Sequence, residues 1–167
     1  MAITQVPAPS PGAMTSLASG SIAASATGFD LTSISGDYNE LWLYITNYSV
    51  TTSADIQIRI NGNSGTSYQY NYLSPDVGGA VIASSDNRIM LASSVNATQT
   101  GQSAYIRFPN YKNTTGYKHM LWQATKSDNN FWNGGGFTRV PDAITRLTFT
   151  TTAGSFDAGT YQLFGVK

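Results

Sequence analysis

The stretch ELWLYITNYSV at residues 40–50 alternates in period two at its start. Leu41, Leu43 and Ile45 point one way, and Trp42, Tyr44 and Thr46 point the other. That spacing marks a half-buried β-strand and is out of phase with a helix. Working outward, residues 55–60 repeat it, with Ile56, Ile58 and Ile60 set against Gln57 and Arg59. Asn61-Gly62-Asn63-Ser64-Gly65 follows. Asn and Gly tolerate the positive φ of a tight hairpin turn. A return strand is therefore predicted over 66–73, where Tyr68, Tyr70 and Tyr72 alternate with Gln69, Asn71 and Leu73.

The rest of the chain follows suit. A hydroxyl-rich edge strand falls at 15–25 and a short strand at 28–34. Further strands are expected at 88–92, 104–108, 117–125, 143–151 and 159–166. Residues 74–87 read as a loop, and Gly134-Gly135-Gly136 reads as a loop tip. Nine or ten strands with turns between them predict an all-β fold: an antiparallel two-sheet sandwich, jelly-roll-like. No βαβ spacing appears, so a parallel sheet is not expected.

The 167 residues suffice for one domain, placed at 14–167, preceded by an arm at 1–13. The arm reads MAITQVPAPSPGA, with Pro7, Pro9 and Pro11 at every second position. That spacing forbids helix and favours an extended, polyproline-like chain. Together with Ile3 and Val6, these prolines are candidate contacts to a shell or a neighbouring subunit; a free terminus is the alternative.

Nine Lys and Arg balance nine Asp and Glu. A net charge of zero argues against electrostatic binding to nucleic acid or an acidic membrane. Charged residues make up 11% of the chain, against about 25% in an average soluble domain. Polarity comes instead from 19 Ser, 20 Thr and 12 Asn. No apolar run approaches the roughly 18 residues of a membrane-spanning helix, so no membrane insertion is expected. No basic residue precedes the first apolar ones, so no signal peptide is expected. With no cysteine there is no disulfide.

Catalytic chemistry is poorly provided for. His119 is the single histidine and sits within a strand pattern. A zinc site would need at least three carboxylates beside it, an unusual set, so no metal is expected. The aspartates fall mostly in turns, where capping of the backbone accounts for them. The glycine run lacks the Lys-Ser/Thr of a phosphate loop. No catalytic residue, cofactor or enzymatic activity is expected. The aromatics are the candidates for contact. Trp42 and Tyr44 oppose the core face of their strand, Tyr68, Tyr70 and Tyr72 share one face, and Phe131, Trp132 and Phe137 flank the glycine run. Exposed, such rings suit sugar stacking or an interface; buried, they are core packing.

Three segments carry a resemblance. They are Ser33-Ile34-Ser35-Gly36-Asp37-Tyr38-Asn39-Glu40-Leu41, the run from Ile56 through Arg59-Ile60-Asn61-Gly62-Asn63-Ser64-Gly65 to Tyr70, and the closing Gly159-Thr160-Tyr161-Gln162-Leu163-Phe164-Gly165-Val166-Lys167. In this order, across residues 14–167, the chain resembles a β-sandwich module of tailed-bacteriophage virion proteins. The resemblance implies a structural or adhesive role on the outer surface of a particle assembled in the host cytoplasm, without catalysis. Fibre subunits usually carry a long shaft, and here a short arm stands in its place. That favours a capsid decoration (cement) protein, a homotrimer bound to the major capsid protein. The alternative is a tail- or head-fibre domain that binds a host glycan.

Overall fold

The computed structural model describes residues 14–74, 79–98, 100–126 and 130–167, and of residues 74, 79–85 and 130 the backbone only. The arm, with Ile3, Val6, Pro7, Pro9 and Pro11, lies outside the described residues. Twelve strands are present among them: β1 (Met14–Ser21), β2 (Gly28–Leu31), β3 (Glu40–Val50), β4 (Ala54–Ile60), β5 (Tyr68–Ser74), β6 (Gly79–Asp86), β7 (Ile89–Val95), β8 (Gln102–Pro109), β9 (Lys118–Lys126), β10 (Asn130–Thr138), β11 (Leu147–Thr151) and β12 (Phe156–Val166). They form an eight-stranded sheet in the order β1-β12-β3-β8-β9-β10-β5-β6 and a four-stranded sheet in the order β2-β11-β4-β7. Every pairing is antiparallel, giving the expected all-β sandwich.

Alternation builds the core. Leu41, Leu43 and Ile45 of β3, Ile106 and Phe108 of β8, and Met120 and Trp122 of β9 face inward and are buried. Ile56, Ile58 and Ile60 of β4 and Leu147 and Phe149 of β11 meet them from the smaller sheet. Side-chain hydrogen bonds stitch the two layers: the Trp122 indole N–H donates to the Leu91 carbonyl of β7 at 3.1 Å, and the Tyr68 hydroxyl of β5 accepts from the Ile60 amide of β4 at 2.9 Å.

Three expectations need correction. First, β4 and β5 do not form a hairpin. Asn61 and Gly62 do take positive φ, at 53° and 68°, but the turn carries the chain from one sheet to the other. β4 is already paired on both sides by β11 and β7, so β5 must find its partners, β10 and β6, in the other layer. Second, residues 79–86 are a strand, not a loop; β6 closes the edge of the large sheet against β5. Third, the glycine run is no loop tip. Gly134, Gly135 and Gly136 pair within β10 with Trp122, Leu121 and Met120 of β9. A side chain on Gly134 would run into the Trp122 indole, and one on Gly136 into Tyr70 and the Gln69 carbonyl. The missing side chains make room for neighbours that fill the core.

Candidate functional site

The outer face of the eight-stranded sheet collects the polar and aromatic side chains that alternation excludes from the core. β3 supplies Trp42 and Tyr44, and β8 supplies Tyr105 and Arg107. β9 contributes Leu121 and Gln123, and β10 contributes Phe131 and Asn133. Register sets them in rows. Tyr44, Tyr105, Gln123 and Asn133 lie side by side across four strands, and Trp42, Arg107 and Leu121 form the next row. The Tyr44 and Tyr105 rings stack with centroids 4.8 Å apart. Trp42 meets Tyr105 edge-on at 6.0 Å, and Phe164 of β12 meets Tyr44 edge-on at 5.9 Å. Such offset and edge contacts each contribute about 0.5–1.5 kcal/mol beyond burial and fix the rings in place.

A polar clamp holds the second row. Arg107 Nη2 donates to Glu40 Oε2 at 2.7 Å, and Trp42 Nε1 donates to the same oxygen at 2.8 Å. The Arg107 guanidinium lies 5.1 Å from the centre of the Trp42 ring. The Trp42 indole N–H, then Arg107, hold the Glu40 carboxyl below the usual carboxylate range. Glu40 is thus ionised at neutral pH and cancels the charge of Arg107. Burial, and then Tyr44, push the Tyr105 hydroxyl up, so it remains protonated and able to donate.

Two shallow depressions open on this face, one on each side of Tyr105. The first, about 200 Å³, is walled by Tyr44, Thr46, Tyr105, Gln123, Thr125 and Phe131. The second, about 220 Å³, is walled by Tyr105, Arg107, Leu121, Gln123 and Asn133, with Trp122 beneath. Apolar walls with a few convergent polar groups are the ordinary make-up of a small-molecule site.

The sequence-derived candidates divide. Trp42 and Tyr44 lie part-exposed on this face, and Phe131, 47% exposed, stands at one end of it. Phe137 is at the other end, stacked on exposed Tyr117 at 5.5 Å and beside His119. Tyr68, Tyr70, Tyr72 and Trp132 are not surface residues: all four are buried. The inner face of β5 and β10 carries large side chains at the end of the larger sheet over which β7 packs. Tyr72 stacks on Trp132 at 4.4 Å, and Tyr70 meets Trp122 edge-on at 6.3 Å. Tyr105, Arg107, Gln123 and Asn133 are not among the contact candidates that the sequence offers, and Glu40 stands there only as one carboxylate among nine. The signal for Tyr105 and Arg107 was present, since both alternate with Ala104, Ile106 and Phe108.

Several of the carboxylates are engaged in structural bonds. Asp55 accepts from the Ser94 amide at 2.9 Å, Asp86 from the Asn87 amide at 2.6 Å, and Asp30 binds Arg146 at 2.7 Å. Asp30 lies in β2 rather than in a turn. Among the described residues no three His, Asp or Glu side chains converge as metal ligands.

No protein-family model matches the chain, and no curated protein matches it in sequence. Solved structures offer distant likenesses. The galectin LEC-6 of Caenorhabditis elegans is 12% identical, with a TM-score of 0.43 over 86% of this chain and 94% of that one. CG-16, a homodimeric agglutinin from chicken liver, is 10% identical, with a TM-score of 0.38 over 81% of this chain and 98% of that one. The tripod from the baseplate of bacteriophage Tuc2009 is 7% identical, with a TM-score of 0.26 over 100% of this chain and 73% of that one. The sandwich itself rests on the strand pairing described above.

Proposed function

We propose that the chain is an adhesive domain on the surface of a tailed-phage particle, and that it binds host glycan on the outer face of its large sheet. The observation that carries the reading is the position of Tyr105, a fixed ring between two depressions rimmed by amide, hydroxyl and guanidinium groups. A sugar ring has an apolar C–H face and a rim of hydroxyls. Tyrosine stacks on the first at low entropic cost, and Gln123, Asn133 and Arg107 suit the second. The phage assignment rests on the sequence resemblance.

Replacing Tyr105 with alanine is expected to lower glycan affinity at least about tenfold, or 1.4 kcal/mol. Folding stability should fall by about 1–3 kcal/mol, the worth of the two lost ring contacts. Tyr117→Ala, which alters the same face outside both depressions, should bind normally. Calorimetric titration of both variants with a saccharide selected on a glycan array decides it. Equal losses in the two would overturn the assignment of the site.

The second reading is decoration of the head shell through the Pro-rich arm, with three copies closing around a threefold site. Its support is the composition of residues 1–13 and the neutral, hydroxyl-rich chain. Copy number in purified particles separates the two. An adhesive fibre part is expected at a few copies, whereas a cement protein would approach the count of the major capsid protein.

A further inference from the structure

Resting on the glycan-binding reading, we infer that the face holds two consecutive units of one uncharged linear glycan, seated on either side of Tyr105. The two depressions are nearly equal, about 200 and 220 Å³, and both use Tyr105 and Gln123 as walls. They follow one another along β8: the first lies beside Ser103 and Tyr105, the second beside Tyr105 and Arg107. Two strand residues advance by roughly 7 Å. An extended chain of pyranoses advances by somewhat less per unit, a distance of the same order. A single glycan can therefore place neighbouring rings in neighbouring depressions, with Gln123 reaching both.

Charge selects the class. Of the described side chains lining the depressions, Arg107 alone is charged, and Glu40 neutralises it at 2.7 Å. A uronic or sialic acid would find no free cation there and would have to compete with a carboxylate already held by two donors. A neutral hydroxyl rim meets amide, hydroxyl and guanidinium donors without breaking that pair.

Shape selects internal units. Every described wall residue belongs to β3, β8, β9 or β10, so no described loop rises to close either depression. Among the described residues, nothing stops a chain from running on past both, which suits the middle of a polymer better than its terminal sugar.

The test uses the full chain on an array of bacterial and plant saccharides of one to six units, neutral and acidic, followed by calorimetric titration of a size series of the best binder. A neutral disaccharide is expected to bind at least about tenfold tighter than its monosaccharide, with a third unit adding less than threefold. Phe131→Ala, in the first depression, and Asn133→Ala, in the second, should each reduce disaccharide binding to the monosaccharide level. Both positions are exposed, and thermal melts would confirm that the variants fold. Equal affinity for one unit and two would overturn the paired sites while leaving glycan binding intact. Preference for acidic saccharides would overturn the charge argument. Binding to no saccharide of any length would remove the glycan-binding reading itself.

Discussion

Gly134→Ala is expected to destabilise the domain by about 3 kcal/mol, the upper end of what overpacking a core usually costs. Gly134 sits on the inner face of β10, directly across from Trp122 of β9. A methyl group there would lie closer than 3.0 Å to three atoms of the indole. The indole cannot retreat. It is 1% exposed, its N–H is bound to the Leu91 carbonyl of the opposite sheet, and Tyr70 meets it edge-on at 6.3 Å. Relief would require breaking the inter-sheet bond or prising β10 from β9. Gly135→Ala is the matched control. Its methyl group would point outward and meet Leu121 at 3.4 Å, an ordinary contact. That variant should stay within about 0.5 kcal/mol of the parent, as surface substitutions usually do. Urea unfolding of the two variants should give a lower midpoint for Gly134→Ala at an unchanged slope. In a Trp122→Leu background the Gly134 substitution should lose most of its cost, a coupling of about 2 kcal/mol between the two sites. Equal midpoints for Gly134→Ala and Gly135→Ala would refute the account.

The same glycines show what sequence conveys and what it withholds. Period-two alternation is legible wherever side chains differ in polarity. The faces of β3 and β8 follow directly from Leu41-Trp42-Leu43-Tyr44 and from Ala104-Tyr105-Ile106-Arg107, whereas β9 is less plain, since Met120, Leu121 and Trp122 are all apolar and Lys118 is on the buried side. Gly134-Gly135-Gly136 has no side chains to alternate, so its strand is invisible until Trp122 and Tyr70 are known to occupy the space. Residues 79–86, GAVIASSD, set four apolar residues in a row, from Ala80 to Ala83, and show no contrast of faces either. Turn chemistry has a similar limit. Asn61-Gly62 specifies a local backbone reversal, but a hairpin and a crossing between sheets can begin with the same dihedral angles. Which one forms depends on the strands already flanking β4, and these come from 89–95 and 147–151. The candidate site is harder still to read. Tyr44, Tyr105, Gln123 and Asn133 come from four strands, and it is register that sets them in one row. Alternation shows that each faces away from the core, but not that they are neighbours.

At the crossing between sheets the structure depends on one hydroxyl, and Tyr68→Phe is expected to cost about 2 kcal/mol. Ile60 ends β4, and its amide N–H donates to Tyr68 Oη at 2.9 Å. The same hydroxyl lies 3.1 Å from the Asn63 carbonyl and 3.3 Å from that of Ile60, either of which can accept its proton. Tyr68 is fully buried and Ile60 is 2% exposed, so water cannot replace the lost oxygen. Phenylalanine would fill the same volume and leave the Ile60 N–H without a partner. A buried unpaired donor carries a desolvation penalty of about 1–3 kcal/mol, more than the net worth of the bond itself. Tyr70→Phe separates this effect from the general loss of a tyrosine hydroxyl. Tyr70 donates to Asp86 at 3.2 Å, but Asp86 also accepts from the Asn87 amide at 2.6 Å. Its carboxylate keeps a partner after the change, and the cost should stay at about 1 kcal/mol or less. Denaturant midpoints report the difference, and hydrogen exchange locates it: the Ile60 amide should lose protection in Tyr68→Phe and keep it in Tyr70→Phe. Unchanged protection at Ile60 in the Tyr68 variant would mean that the turn at 61–67 is held by Asn63 and its neighbours alone, and that the hydroxyl has no part in carrying the chain between the sheets.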